Sequence, residues 1–236
     1  MNTVVQHHLD AGWAYSLWTE DELEELVPTM PYARLYRNPH QYVLPGRERQ
    51  FQADLARYWI LARYGGVYVD ADIEFHRSLD DLPAPSAQPP VGMPYGDWRP
   101  DPTPTWMAWE KQGEFIGNSV IGNRPARGNA MEMIVDSVER NVLKLRQRDG
   151  LTSASRLTGP RFLTRLFGTP APGLIHMYDQ ELFYPYAWDD VAKGKVPPQP
   201  GPRTIATHHW NNQRAINSAW RPPYPPDAGN IPVFML

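Results

Sequence analysis

Two aspartates, Asp70 and Asp72, close the apolar run GVYVDAD that begins at Gly66. In an extended segment, residues two apart point to the same side, so the spacing predicts that both carboxylates face one place. About 5 Å apart, they repel by roughly 0.8 kcal/mol in water and about 3 kcal/mol at an effective dielectric near 20. Without metal they only repel. A divalent cation reverses the sign, because hard cations such as Mg²⁺ and Mn²⁺ take carboxylate oxygens and accept phosphate oxygens at their open positions. A bare DxD is weak evidence, since chance and solvated turns produce most of them; the context strengthens it. Upstream, Phe51, Leu55, Tyr58, Trp59 and Ala62 recur at helical spacing, with Leu61 and Tyr64 on the flank. Asp54 and Arg57 share that stripe. They are either a surface i, i+3 ion pair worth about 0.2 to 0.5 kcal/mol or a half-buried pair, which the apolar neighbours favour. Gly65 suits the residue that closes the helix, and Gly66 the sharp entry into the strand.

The run QADLARYWILARYGGVYVDAD resembles the DXD sugar-transferases of glycosyltransferase family 32. That family includes yeast-type mannosyltransferases, α-galactosyltransferases and bacterial capsule enzymes, and the clostridial glucosylating toxins share its helix, double glycine and DXD. The resemblance implies an α/β fold of the GT-A, Rossmann-like type, a nucleotide-sugar donor (UDP- or GDP-sugar), a divalent metal (Mn²⁺ or Mg²⁺), retention of anomeric configuration and a role such as polysaccharide biosynthesis. It implies that Asp54 and Arg57 hold the sugar and phosphate side of the donor, and that Asp70 and Asp72 bind ribose, metal and diphosphate. Tyr68, on the same strand, is taken with the donor-binding residues. Asn118 stands where the family has an Asn facing the donor, with a plain turn residue as the alternative. In RTIATHHWNNQ the pattern matches His208 and implies metal or diphosphate contact, while the strand-like alternation sends His208 and His209 to opposite sides. Trp220 resembles the closing Trp that covers the donor, at a longer spacing than usual.

Composition bounds the rest. A chain of 236 residues suits one domain, 1–236, with a sizeable core. Net charge of −3 with scattered basic residues points away from nucleic acid. No cysteine means no disulfide framework. Without a signal-like leader or an apolar run of 18 residues, the expectation is a soluble, cytoplasmic protein. The 26 prolines cluster at 83–104 and 197–226 and mark two long connections.

Along the chain, residues 2–9 read as helix and WAYSLWT as a strand. Thr19 with Glu22 forms a capping box that opens a helix closed by Pro28. Family members carry an earlier strand that begins the nucleotide pocket, and this chain starts too late to hold it. Either TVVQHH substitutes, or the base side of the pocket is abbreviated, or the start lies upstream; the helical reading of 2–9 favours an abbreviated, open base pocket. After the DXD, IEFHRSLDDL reads as an edge strand and turn, VGMPY as a strand, and EFIGNSVIGNRP as strand and turn. Trp98, Trp106 and Trp109 are either near the acceptor side or packed. Pro125 to Arg148 is a core-facing helix, and TGPRFLTRLFG starts another at Pro160; the spacing gives no reason for the GP-x-x-LT element.

The leading reading is therefore a metal-dependent, retaining transferase moving a hexosyl unit to a glycan or protein acceptor. In it Asp54, Arg57 and Asp72 do the catalytic work, and Asp70, Asp72 and His208 hold the metal. A non-catalytic sugar-nucleotide or glycan-binding module is the alternative, motivated by the missing strand. A phosphatase of the haloacid-dehalogenase type is a third, weakened because Glu74 stands where that family wants Thr or Val.

Overall fold

The computed structural model describes residues 2–9, 12–83, 105–124, 128–168, 174–195, 198–210 and 233–235. Trp98, Trp220 and the strand expected at VGMPY lie outside the described residues.

The α/β class is borne out, with a mixed sheet at its centre. Strands β1 (Tyr15–Leu17), β2 (Gly66–Val69), β4 (Thr105–Lys111), β5 (Phe115–Ile116), β6 (Val120–Asn123), β7 (His176–Tyr178) and β9 (Val233–Met235) form a seven-stranded sheet of order β1-β9-β2-β6-β4-β5, with β7 beside β4. β6 runs antiparallel to both β2 and β4, so β2 and β4 run in the same direction. Their carboxyl ends lie at one edge of the sheet. In open α/β sheets that edge is where ligands bind. Strands β3 (Ile73–Phe75) and β8 (Ala206–His208) pair separately, Ile73 opposite His208.

Residues 2–9 are helical as expected: α1 spans Asn2–His8, and Thr3 accepts the Phe75 N–H through its hydroxyl. The slot expected to lack a strand is filled from the far end of the chain. β9 lies between β1 and β2, antiparallel to both, with Tyr68 opposite Phe234. No alternation in the C-terminal sequence had marked it. The capping box forms, Thr19 N–H donating to Glu22 at 2.8 Å, and opens α2 (Glu20–Leu26); a short helix, α3 (Ala33–Arg37), follows.

The long helix α4 (Glu48–Tyr64) closes on Gly65, and both Gly65 (φ 72°) and Gly66 (φ 85°) adopt backbone that a side chain would strain. α4 is buried more widely than its sequence stripe. Ile60, off the expected face, is fully buried, whereas Tyr64 is 46% exposed. The reason is α5 (Ala130–Asp149), which packs along α4 and covers a second side of it. α5 begins at Asn129, whose side chain accepts the Glu132 N–H at 2.9 Å. Two shorter helices, α6 (Ala154–Leu157) and α7 (Pro160–Phe167), complete this layer.

Side chains alternate across the sheet. Tyr68, Met107 and Ile121 face the layer of α4 and α5, while Val67, Val69, Ala108 and Val120 face a second core with Phe75 and Tyr184. Trp106 stacks on Phe183, ring centroids 5.8 Å apart, in this second core. Gly122 makes room for it, since a Cβ there would lie 2.0 Å from the Trp106 ring. Trp109 packs against the first core. Both tryptophans take the packing role.

Candidate active site

A cavity of about 320 Å³ opens at the carboxyl ends of β2 and β4. Asp54, Arg57, Asp70, Asp72, Asn118 and His208 all line it. Sequence reasoning had these six as candidates; folding brings them into one place.

The aspartates reach it differently from the sequence expectation. β2 ends at Val69, and Asp70 to Asp72 form a turn rather than an extended strand, closed by the Ile73 N–H on the Asp70 carbonyl at 3.1 Å. Asp70 N–H donates to the Ser119 carbonyl at 2.8 Å, which anchors the turn to the loop before β6. The carboxylates do not simply repel. Asp70 pairs with Arg57 at 3.2 Å and accepts the Tyr68 hydroxyl. Asp72 meets His208 Nε2 at 3.0 Å. One ligand atom from each of Asp70, Asp72 and His208 lies within 4.8 Å of the others. Two carboxylates and an imidazole suit a divalent cation of the Mn²⁺ type, with the cavity side left for further oxygen ligands. His209 faces away and holds Glu74 at 2.8 Å, so His208 is the histidine of the site.

Arg57 is the hub beside this group. Its guanidinium, 4% exposed, contacts Asp54 and Asp70 at 3.2 Å each, donates to the carbonyls of Asn118 and Ala53, and lies 4.2 Å over the Tyr68 ring. The sequence alternative of a surface ion pair is excluded by burial. Most of its donors are committed within the protein, which makes Arg57 the group that fixes Asp54 and Asp70 in place. Tyr68 does not line the cavity. It is fully covered behind Arg57, because residue 68 of the strand points towards α4, so its placement among donor-contacting residues is corrected to support of Arg57 and Asp70.

Asp54 accepts from Asn118 Nδ2 at 2.8 Å, from Arg57, and from Thr158 Oγ1 at 2.7 Å. Three of about four acceptor sites are filled, leaving one towards the cavity. Burial pushes its carboxyl up to about 6, against the opposing pull of Arg57, Thr158 and Asn118. Asn118 is thus a side chain that orients Asp54, not a bare turn residue. The same contacts explain the GP-x-x-LT element. Tyr58 donates to the Thr158 carbonyl at 2.6 Å, and a Cβ on Gly159 would come within 3.0 Å of Ser155 Cα and 3.3 Å of Asp54 Oδ2. Gly159 lets the turn before Pro160 close on Asp54. At His208, burial lowers the imidazole pKa, and the carboxyl groups of Asp72, Asp70 and Glu110 together outweigh it and raise it overall.

Several lining residues escaped the sequence reading: Glu110, Trp188 and Trp210, and also Arg47, Ser153 and Arg161. Trp210, at a positive φ of 55°, lies with its ring 4.0 Å from His208 and donates to the Tyr186 carbonyl at 3.2 Å. Glu110 is 6% exposed at the end of β4. Burial pushes its carboxyl up to about 7, His208 drawing it down and Asp70 and Asp54 adding to the rise. A charged residue inside the apolar strand TWMAWEK was the one available signal.

Residues 1–88 match the family described as a glycosyltransferase sugar-binding region containing a DXD motif. The chain is similar to inositol phosphoceramide mannosyltransferases 3 and 1 of Schizosaccharomyces pombe, at 33% identity over 75 residues and 36% over 77. It is also similar to a mannosyl phosphorylinositol ceramide synthase of Saccharomyces cerevisiae, at 35% over 74 residues. These matches cover 31%, 33% and 31% of this chain and 19%, 23% and 18% of the relatives, so the chain matches about a fifth of their length. No solved structure matches it.

Proposed function

From a chain that carries, over residues 1–88, the sugar-binding region of the DXD glycosyltransferases, we propose a metal-dependent, retaining hexosyltransferase that uses a nucleotide-diphosphate sugar. The observation that supports it best is the meeting of Asp70, Asp72 and His208 within 4.8 Å, beside the buried Asp54–Arg57 pair, in one cavity. A binding module has no need of a metal-ligating group held by so rigid a network, and a haloacid-dehalogenase phosphatase is at odds with the family match.

Asp70, Asp72 and His208 would hold the cation, whose contribution when bound is to neutralise the diphosphate as it leaves. Asp54 offers its remaining acceptor site to a sugar hydroxyl. Arg57 keeps Asp54 and Asp70 at fixed positions and adds positive charge beside the phosphate. Trp188 and Trp210 offer faces for the sugar ring and exclude water. The acceptor hydroxyl attacks on the face from which the nucleotide departs, and its proton passes to the departing phosphate. Arg47 and Arg161, with Ser153, also line the cavity and suit an acceptor that carries a phosphate. The relatives' names point to mannose as the first sugar to try.

The test is a donor-hydrolysis screen: purified protein with Mn²⁺ and a panel of UDP- and GDP-sugars, reading free nucleotide. Turnover of one donor that stops in chelator is expected. Donor binding with no turnover for any member of the panel would leave the non-catalytic module in its place.

A further inference from the structure

We propose that Glu110 is a catalytic residue whose carboxylate faces the anomeric carbon of the donor, an assignment that rests on the transferase reading above. The other acidic groups of the cavity are held by the protein. Asp54 has three partners, Asp70 has Arg57 and Tyr68, and Asp72 has His208. Glu110 is as deeply placed, yet no hydrogen bond or ion pair to a described residue holds its carboxyl. An ionised carboxylate is costly to bury without a partner. One that lines a cavity and spends nothing on the fold is available for a ligand.

Its chemistry says which part of the ligand. Glu110 lines the same cavity as Asp54, Asp70 and His208, and it stands outside the group whose ligand atoms gather within 4.8 Å. Asp70 and His208 would hold the diphosphate, Asp54 the sugar hydroxyls. A carboxylate that is not a metal ligand repels the diphosphate and attracts the positive charge that grows on the sugar, so the carbon whose bond breaks is the part it suits. As the bond from the anomeric carbon to the diphosphate oxygen breaks, its electron pair leaves with the diphosphate and positive charge grows on the ring. A fixed carboxylate stabilises that charge more than it stabilises the neutral ground state. The acceptor oxygen then bonds to the anomeric carbon, and its proton goes to the departing diphosphate. Glu110 forms no bond in this sequence. The sheet fixes its backbone: β4 is paired to β7 up to Ala108, and to β5 at Trp109 and Lys111, the two residues that flank Glu110 across an irregularity in the ladder.

The test is Glu110→Gln, which keeps the shape and removes the charge, assayed with Mn²⁺ and whichever donor the wild type turns over. The expected result is a fall in kcat of at least about 100-fold, with donor KM and Mn²⁺ affinity within about threefold and a melting temperature in chelator that is unchanged or higher. Turnover within threefold of wild type overturns the assignment. So does a loss carried mainly by KM or by Mn²⁺ affinity, which would make Glu110 a binding group or a ligand, or a loss that accompanies a lowered melting temperature, which would make it structural. A wild type inert towards every donor sinks the transferase reading and this role with it, whereas an active wild type matched by the variant sinks only the role.

Discussion

Arg57→Lys isolates the role of the guanidinium fork, because the charge stays and the geometry goes. Arg57 contacts two carboxylates at 3.2 Å each, two backbone carbonyls and the face of Tyr68. A single ammonium can serve one carboxylate and one carbonyl from the same stem, so about half of these contacts are lost. A hydrogen bond to a charged group contributes about 1.5 to 3 kcal/mol. Loss of one such contact, plus a carbonyl and part of the ring contact, comes to about 3 kcal/mol. With a urea m-value of about 3 kcal/mol/M for a chain of this size, the unfolding midpoint should fall by about 1 M. Donor turnover should fall at least about 100-fold, since Asp54 and Asp70 both lose a fixed partner. The assay is a pair of urea melts in chelator beside nucleotide release with Mn²⁺. Arg63→Lys is the control, an exposed residue of the same helix whose guanidinium lies 5.5 Å from the Tyr64 ring. A midpoint shift below about 0.2 M with turnover near wild type would refute the hub role and return Arg57 to a dispensable ion pair.

Mn²⁺ at about 100 times its Kd should stabilise the wild type by about 2.7 kcal/mol, or about 5 to 10 °C, and leave Asp72→Asn nearly unmoved; equal shifts in both would remove Asp72 from the metal site. In the metal-free protein, Glu110 binds its proton more tightly when folded, with a pKa of about 7. Its contribution is therefore fully present below about pH 4.5 and lost as pH rises through 7, a fall of about 3 kcal/mol. Urea melts between pH 5 and 8 should show this slope added to the one that Asp54, with its carboxyl at about 6, contributes, and Glu110→Gln should remove the Glu110 share; parallel slopes would mean the carboxyl is solvated. Gly159→Ala should cost about 1 to 3 kcal/mol and lower turnover, because its Cβ meets Ser155 backbone and Asp54. Gly201→Ala, whose nearest neighbour is 3.6 Å away, should fall within about 0.5 kcal/mol of wild type.

The sequence by itself determined the elements whose causes are local. The stripe from Phe51 to Ala62 and the double glycine fixed α4 and its exit, and the Thr19–Glu22 pair fixed the start of α2. It also named Asp70, Asp72 and His208 as candidate metal ligands, the aspartates from their spacing at the end of an apolar run and His208 from the family resemblance. Tertiary structure decided what depends on partners distant in sequence. β9 has three residues and no alternation to reveal it; only the open slot between β1 and β2 makes it a strand. Tyr68 looked like a ligand contact until the sheet turned it under Arg57. Glu110 was not singled out by the sequence; its meaning comes from the cavity that it shares with His208 of β8, Asp70 of the turn after β2 and Asp54 of α4. Hydrophobic periodicity records which face of an element is covered, but it carries no record of what covers it. A site assembled from α4, β2, β4 and β8 is set by that second fact.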